Sequence, residues 1–534
     1  MASAPEGPLV EPRRLVVTER GSPSCSIFSK DYKSGKDVLA LDLRHTAQLI
    51  EVDDGSQTVR CGAAVTMESL VRATLAHGMI PLVQPDFRRM TVGGSIMGTI
   101  CESSSHQHGH FVDACAWLLL RKGDGTSVTV TKADEAFHEV NGSFGTLCTL
   151  LEACVRCRRC APWVRVTYSL LEDEAAGDPS AGVAHMAALA GLGSCEPVES
   201  SFQLEPPLAT PCERRPFEYL DALHLSAGWD GRDSLSATAV MCGEDALDQA
   251  EIASLPSWES SRDGYWFFEH VIQVARKLRG RQGKVVSEIV PLESYVFRYD
   301  RGAFWMARPL RWSLRAALQG MYSLPVLLLF LASAPPLRPL LGDLFTPSAL
   351  YRVLRCAPVA AVNRKMVICD FHIPLEDAAT FIRAIRHEVP ISTPLWLCLV
   401  RVPERAQPLS PHGHYYPGSG KLLMNIGVWG RVGDGRGVAY SCLLERKCTD
   451  MGGRKMLYSS NFYSGEEWDS IYNADNAYTA MRKRWDADGR FPHLFTKTCG
   501  ISSKAAASMS SQSLGSWLSL WLDRLVEAIA AKLL

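Results

Sequence analysis

The sequence predicts an α+β fold of more than one domain, on three observations. Short apolar runs alternate with turn signals from Leu15 to about Tyr168, which gives short strands rather than the continuous apolar runs of a parallel sheet. A stretch from about Leu171 to Arg215 is rich in Ala, Gly, Ser, Pro and Glu and carries no sustained periodicity, so it reads as a linker or insertion. From Phe217 to Phe495 helical and strand patterns mix again, as in one large second domain. A chain of 534 residues has room for roughly two to four domains.

In chain order, RRLVVTER, DVLALDL, AQLIEVDD and TVRCGAAV read as strands. Val65 and Thr66 then lead into MESLVRATLAHG, where Leu70, Val71 and Leu75 recur at helical spacing. ACAWLLLRKGDGTSVTVT reads as a hairpin turning at Gly123, Asp124 and Gly125. The segment VRCRRCAPWVRVTY reads as strand, which points Cys154, Cys157 and Cys160 to alternating faces. That geometry and the lack of a nearby fourth ligand argue against a metal or iron–sulfur site. Further on, YWFFEHVIQVARKLRG and PLEDAATFIRAIRHEV read as helices, LLMNIGVWG as a strand, and Gly430 to Gly437 as a hairpin loop.

Composition narrows the classes of function. With 47% hydrophobic and 21% charged residues the chain has the apolar surface to fold, which excludes a disordered or fibrous protein. Its 56 basic and 57 acidic side chains leave a net charge of −1, which argues against nucleic acid as a partner. MASAPEGPLVEPRR has no apolar signal core, and the 17 Cys read as mostly free thiols in a reducing compartment. The charge-free window Ala316–Leu337 is cut by Pro325, Pro335 and Pro336 and reads as a buried helix or a short segment lying in a membrane interface. After Cys499 a Ser/Ala-rich linker leads to an amphipathic helix with Trp517, Leu518, Trp521, Leu525, Ile529 and Leu533 on one face, suited to a membrane surface or a partner.

The segment that carries chemistry is TVGGSIMGTICESSS, Thr91 to Ser105. Gly93, Gly94 and Gly98 permit close backbone approach, Thr91, Thr99 and Ser103 bring hydroxyls, and successive backbone N–H groups would make a nest for a pyrophosphate. A plain Gly-rich turn between strands is the competing reading. The spacing is not GxGxxG after a strand, so a dinucleotide-binding Rossmann unit is excluded.

This run, the ESSSHQHG that continues it, the Gly123–Gly125 turn and SFGTL at Ser143–Leu147 resemble the FAD-binding domain of the vanillyl-alcohol oxidase (PCMH) type. Within that superfamily they are most similar to the delta(24)-sterol reductase family, called seladin or diminuto. LVVTERG, AAVTMESLV, GYWFFEHV, YVFRYDRGAFW, PLWLCLV, MLYSSNFYSGEEWDSIY, MRKRW and GRFPHLF have counterparts in the same order, so the likeness covers most of 14–499. It departs at His108, where an aromatic residue is expected, and at Cys148, where Gly is expected.

The resemblance implies a two-subdomain PCMH-type FAD-binding domain over 14–168, a linker over 169–216, an α/β substrate (cap) domain over 217–499 and a linker with a helix over 500–534. It implies dissociable FAD, NADPH as reductant, a sterol as substrate, reduction of the C24 side-chain double bond, and a membrane-associated enzyme of the endoplasmic reticulum facing the cytosol. The cofactor-binding residues it implies are Thr91, Val92, Gly93, Gly94, Ser95, Ile96, Met97, Gly98, Thr99, Ile100, Cys101, Glu102 and Ser103, with Gly145 and Thr146 closing on the cofactor. Reducing an isolated alkene also needs an acid, and His106, Asp370 and His372 are the candidates.

Arg298 and Arg301 read either as an orienting pair or as a structural salt bridge. The run Arg276, Lys277, Arg279, Arg281, Lys284 reads as a solvated helix end, or as a site for the 2′-phosphate of NADPH or anionic lipid. Two other functions stay open: an FAD-linked oxidase of a small alcohol or lactone, and an inactive membrane-associated scaffold of the same fold. The oligomeric state is not legible.

Overall fold

The computed structural model describes residues 14–17, 38–173, 178–192, 217–226, 235–259, 266–281, 283–302, 304–305, 346–347, 359–391, 393–402 and 422–499. The window Ala316–Leu337 and the tail from residue 500 lie outside them. No helix among the described residues is long and apolar enough to cross a membrane.

The N-terminal strands β1 (Arg14–Val17) and β2 (Val38–Leu41) form a parallel pair. Strands β3 (Ile50–Asp53), β4 (Thr58–Gly62), β5 (Met79–Pro81), β6 (Cys115–Arg121), β7 (Ser127–Thr131) and β8 (Thr149–Arg159) make an antiparallel sheet ordered β3-β4-β8-β6-β7, with β5 paired to β8. Helix α1 (Met67–Leu75) starts where expected because Thr66, in extended backbone, accepts the Ser69 amide on its hydroxyl, and it buries Met67, Leu70, Val71 and Thr74 on one face. The β6–β7 hairpin turns at Gly125, whose φ of 93° only glycine adopts readily, with Asp124 accepting the Thr126 amide. The CVRCRRC segment is strand as far as Arg159, where β8 ends, and Cys160 follows it.

The second sheet has β9 (Trp163–Glu172), β10 (Tyr219–Leu225), β11 (Ala237–Asp245), β12 (Val285–Pro291), β13 (Met366–Pro374), β14 (Leu395–Arg401), β15 (Leu422–Arg431) and β16 (Arg454–Lys455), ordered β12-β9-β11-β10-β14-β15-β13-β16. Every described pairing is antiparallel, so the cap expected as α/β is α+β; three helices cover one face, while the helix Phe267–Leu278 packs on the other, against β9, β11 and β12. On the covered face Leu397, Met424, Ile426, Phe371 and Ile373 pack against the helices Ser180–Ala187, Leu375–Glu388 and Gly437–Asp450. The alternate positions, Asp221 on β10, Trp396 and Cys398 on β14, Asn425, Gly427 and Trp429 on β15 and Asp370 and His372 on β13, share the other face in register. That face meets the N-terminal domain: the Cys398 thiol donates to the Glu102 carbonyl at 3.1 Å, and the Leu220 amide to the Ser103 carbonyl at 2.8 Å.

Three features depart from the sequence reading. The expected boundary at 168 falls inside β9, a member of the second sheet. Part of the stretch read as linker is ordered: Ser180–Ala187 is a helix burying Val183 and Met186, and its short Ala/Gly-rich sequence has no polar face to reveal a period. Gly430–Gly437 is not a hairpin loop but the turn from β15 into the helix Gly437–Asp450. The closing segment also returns to the first domain, where Tyr478 donates to the Thr146 hydroxyl at 3.0 Å and Arg484 and Trp485 bind Glu139.

Helix Ser180–Ala187 lies so close to β11 that a Cβ on Gly182 would stand 2.4 Å from the Thr238 hydroxyl. Gly182→Val should therefore lower stability by about 1–3 kcal/mol, read as a lower denaturant midpoint, and adding Thr238→Ala should recover part of the loss. An unchanged midpoint in the single variant would contradict this packing.

Candidate functional site

The Gly-rich run folds into helix α2 (Val92–Met97), a turn, and helix α3 (Ser105–His108). Thr91 caps α2, its hydroxyl accepting the Gly94 amide at 3.1 Å. The amides of Val92 and Gly93 bind Val65 and Ala63 carbonyls at 2.9 Å each, and that of Ser95 binds the Thr91 carbonyl. The nest of free amides expected at the head of the run is thus engaged within the protein. Gly93 is needed for this packing, since a Cβ would stand 3.1 Å from the Ala63 carbonyl oxygen. Gly94 differs: it is exposed, and among the described residues a Cβ there would meet only the Thr91 hydroxyl, at 3.2 Å, so its surface is open to a ligand.

The tail of the run joins the SFGTL turn, where the Phe144 amide donates to the Met97 carbonyl at 3.0 Å. Thr99 holds a left-handed φ of 59° and Phe144 one of 50°, conformations that cost a branched or bulky residue energy and concentrate at functional sites. The Thr99 hydroxyl is buried without a hydrogen bond among the described residues, as are the Asn141 side-chain carbonyl and the hydroxyls of Ser143 and Thr149, in and beside the turn. Buried polar atoms left unmatched are uncommon. Their concentration where the end of the run meets the SFGTL turn fits a polar cofactor with many oxygens.

Beyond Ile100 the run reaches the second sheet and meets a buried charge cluster. Arg298, 3% exposed, lies 3.1 Å from Asp221 and 3.6 Å from Asp86, and its guanidinium sits 4.2 Å from the Tyr295 ring centroid. Asp221 also accepts the Tyr299 hydroxyl and the Trp396 indole N–H, each at 3.0 Å. Glu102 accepts the Asp86 amide at 3.0 Å. Burial pushes Asp86 up to about 7, with Arg298 pulling the other way, and burial followed by the charge of Asp86 holds Glu102 well above the carboxylate range. Arg298 is therefore the structural ion pair, whereas Arg301 is partly exposed. The basic side chains Arg276, Lys277, Arg279, Arg281 and Lys284 are exposed at and beyond the C-terminal end of the helix Phe267–Leu278, where cations suit the helix dipole.

The three candidate acids fall in two places. His106 is fully buried, with Nδ1 2.9 Å from the Ser103 carbonyl and Nε2 2.8 Å from the Phe217 carbonyl. Burial lowers its pKa, and the one N–H of the neutral ring donates to one of these carbonyls, so the side chain is enclosed between two backbone segments, which is a structural role. Asp370 and His372 stand side by side on the site face, and His372 reaches the run itself, its Nε2 3.8 Å from the Cys101 thiol and its ring 5.2 Å from that of His110. Asp370 accepts Asn425 Nδ2 at 3.1 Å and the Tyr458 hydroxyl at 2.5 Å, and Trp429 donates to the same Tyr458 oxygen at 2.8 Å. Sequence reasoning missed Asn425, Trp429 and Tyr458. The one signal was in LLMNIGVWG, where Asn425, Gly427 and Trp429 at alternate positions set one strand face apart from an apolar one.

Residues 13–131 match the family described as FAD binding domain, and the open glycine and the unmatched hydroxyl of Thr99 lie within the matched segment. Over a longer span the chain is similar to the Delta(24)-sterol reductase of Homo sapiens, 25% identical over 460 residues, 84% of this chain and 76% of that protein. It is similar also to the Delta(24)-sterol reductase of Arabidopsis thaliana, 22% identical over 490 residues, 88% and 78% of the two chains, and to the Delta(24)-sterol reductase homolog of Caenorhabditis elegans, 22% identical over 502 residues, 91% and 83%.

Removing Arg298 would leave Asp86, Asp221 and Glu102 together without their cation. Arg298→Met should cost about 3–5 kcal/mol at neutral pH. Carboxyls whose folded pKa is raised stabilise the fold when protonated and lose that contribution as pH rises through the folded value. The deficit of the variant should therefore shrink as pH falls below about 7, and a deficit that is constant between pH 5 and pH 8 would contradict the assignment.

Proposed function

We propose that this chain is an FAD-dependent oxidoreductase that reduces the C24 side-chain double bond of a sterol with NADPH as the reductant. The observation that carries the reading is the likeness to Delta(24)-sterol reductases across 84% of the chain, coupled to an FAD-binding domain match. The proposal takes the cofactor to be held, without a covalent bond, by the run Thr91–Ser103 on one side and Gly145 and Thr146 on the other. Thr99, Asn141, Ser143 and Thr149 would supply its hydrogen-bond partners, since their oxygens are buried and lack partners among the described residues. When bound, FAD supplies a hydride to one carbon of the alkene.

The rest is the work of the protein. Cys101 and Glu102 bring the end of the cofactor run against β13 and β14, so a substrate over the site face lies between the run and Asp370, His372 and Asn425. Phe304, Trp305, Trp396 and Trp429 form an aromatic cluster beside these polar groups, with Phe304 and Trp429 centroids 4.4 Å apart, an apolar wall suited to a sterol. Attachment to the membrane surface of the endoplasmic reticulum, facing the cytosol, belongs to the same proposal. Its support is the apolar window and the Trp-bearing tail in the sequence.

Purified protein should show flavin absorbance that NADPH bleaches without oxygen and that a sterol with a side-chain double bond restores. Bound flavin that NADPH cannot bleach would contradict the reductase. Gly94→Leu should abolish flavin retention, because its side chain would enter the open surface beside Thr91; undiminished flavin content would show that the cofactor lies elsewhere.

A further inference from the structure

Reduction of an alkene forms two C–H bonds: two electrons and one hydrogen arrive as hydride, and the second hydrogen must come as a proton from the protein or water. Among the groups on the site face, Tyr458 has the geometry for this task. It is partly exposed, packs beside Cys101, Val400, Leu423 and Met456, and so stands in apolar surroundings at the end of the cofactor run. Its oxygen accepts the Trp429 indole N–H at 2.8 Å and lies 2.5 Å from an Asp370 carboxyl oxygen. The other Asp370 oxygen is occupied by Asn425 Nδ2, a donor, which fixes it as the carbonyl oxygen whenever the carboxyl carries a proton.

The protonation state of Asp370 then decides where the tyrosine hydrogen points. With Asp370 ionised, Tyr458 donates to the carboxylate. With Asp370 protonated, the carboxyl O–H and the indole N–H fill both lone pairs of the phenol oxygen, and its own hydrogen must point out of the trio. We propose that Tyr458 is the proton donor to the alkene, with Trp429 fixing its oxygen and Asp370 acting as the positioning residue and proton store behind it. This rests on the reductase reading. In the step, the Tyr458 O–H bond breaks as a C–H bond forms at one alkene carbon, while hydride completes the other. The Asp370 proton passes to the phenol oxygen, and water reprotonates Asp370. NADPH restores the two electrons.

Burial pushes Asp370 up to about 6, so the store is full below that pH and the proton-transfer rate should fall about tenfold per unit above it. The test uses full-length, flavin-loaded wild type, Tyr458→Phe and Asp370→Asn, reduced anaerobically with NADPH and mixed with a sterol alkene. Tyr458→Phe should keep its flavin and its bleaching by NADPH but lose 10²–10⁴-fold, on the order expected for a general acid, in reoxidation by the sterol. Asp370→Asn should lose the falling limb near pH 6. An independent readout needs no substrate: an infrared band of a protonated carboxyl should titrate near pH 6 in wild type, vanish in Asp370→Asn and shift in Tyr458→Phe. Reoxidation of Tyr458→Phe within about threefold of wild type, or a carboxyl band indifferent to Tyr458, would overturn the assignment and leave the reductase reading intact. Failure of wild type itself to be reoxidised by any sterol alkene would overturn both.

Discussion

The arrangement of the two domains depends on the buried cation of Arg298. Three separate segments converge on it at its own turn, which also carries Tyr295 and Tyr299: Asp86 before the Gly-rich run, Glu102 within the run and holding the Asp86 amide, and Asp221 on β10. At 3.1 Å and an effective dielectric near 20, the attraction to Asp221 is about 5 kcal/mol, while desolvating each ion costs several kcal/mol. Burial raises Asp86 and Glu102, the charge of Asp86 raising Glu102 further, and one cation does not balance three carboxylates, so protons remain in the cluster. The cluster therefore adds little net stability. Its consequence is geometric, because any other placement of these segments would strand a charge in an apolar interior.

The two-residue period of the second sheet completes the site. One set of alternate residues is apolar and buried under helices, which holds the sheet rigid. The other set carries Asp221, Asp370, His372, Asn425 and Trp429 toward the Gly-rich run. Gly427 belongs to that face, and a Cβ there would stand 2.8 Å from the Trp429 ring and 2.9 Å from the Asp370 carboxylate. Its absence lets Trp429 lie across the strand and reach Tyr458.

Local features were legible in the sequence because local chemistry dictates them. The start of α1 after Thr66, the Gly125 turn and the strand character of CVRCRRC each rest on neighbouring residues. The Gly-rich run was legible as a special segment, but not its internal bonding, since the partners of Val92 and Gly93 lie nearly thirty positions earlier. Gly430–Gly437 misled because a hairpin and a strand-to-helix turn ask for the same residues. Domain boundaries were the least legible. β9 pairs with strands far along the chain, and the closing segment returns to Thr146 and Glu139 through contacts more than 300 positions apart. Asp370 and His372 were legible as polar residues in an apolar strand, but their meeting with Tyr458 and Cys101 is a product of tertiary structure alone.

Under the proposed function, cofactor and substrate meet at the joint between the Gly-rich run and the polar face of the large sheet. Hydrogen–deuterium exchange, followed by peptide on the flavin-free and FAD-loaded protein and then with a sterol added, tests this most directly. FAD should protect residues 91–103 and 141–149 together, and the sterol should add protection at 366–374, 422–431 and 456–458. Protection by FAD that spares both 91–103 and 141–149, or by sterol that spares the site-face strands, would contradict the account.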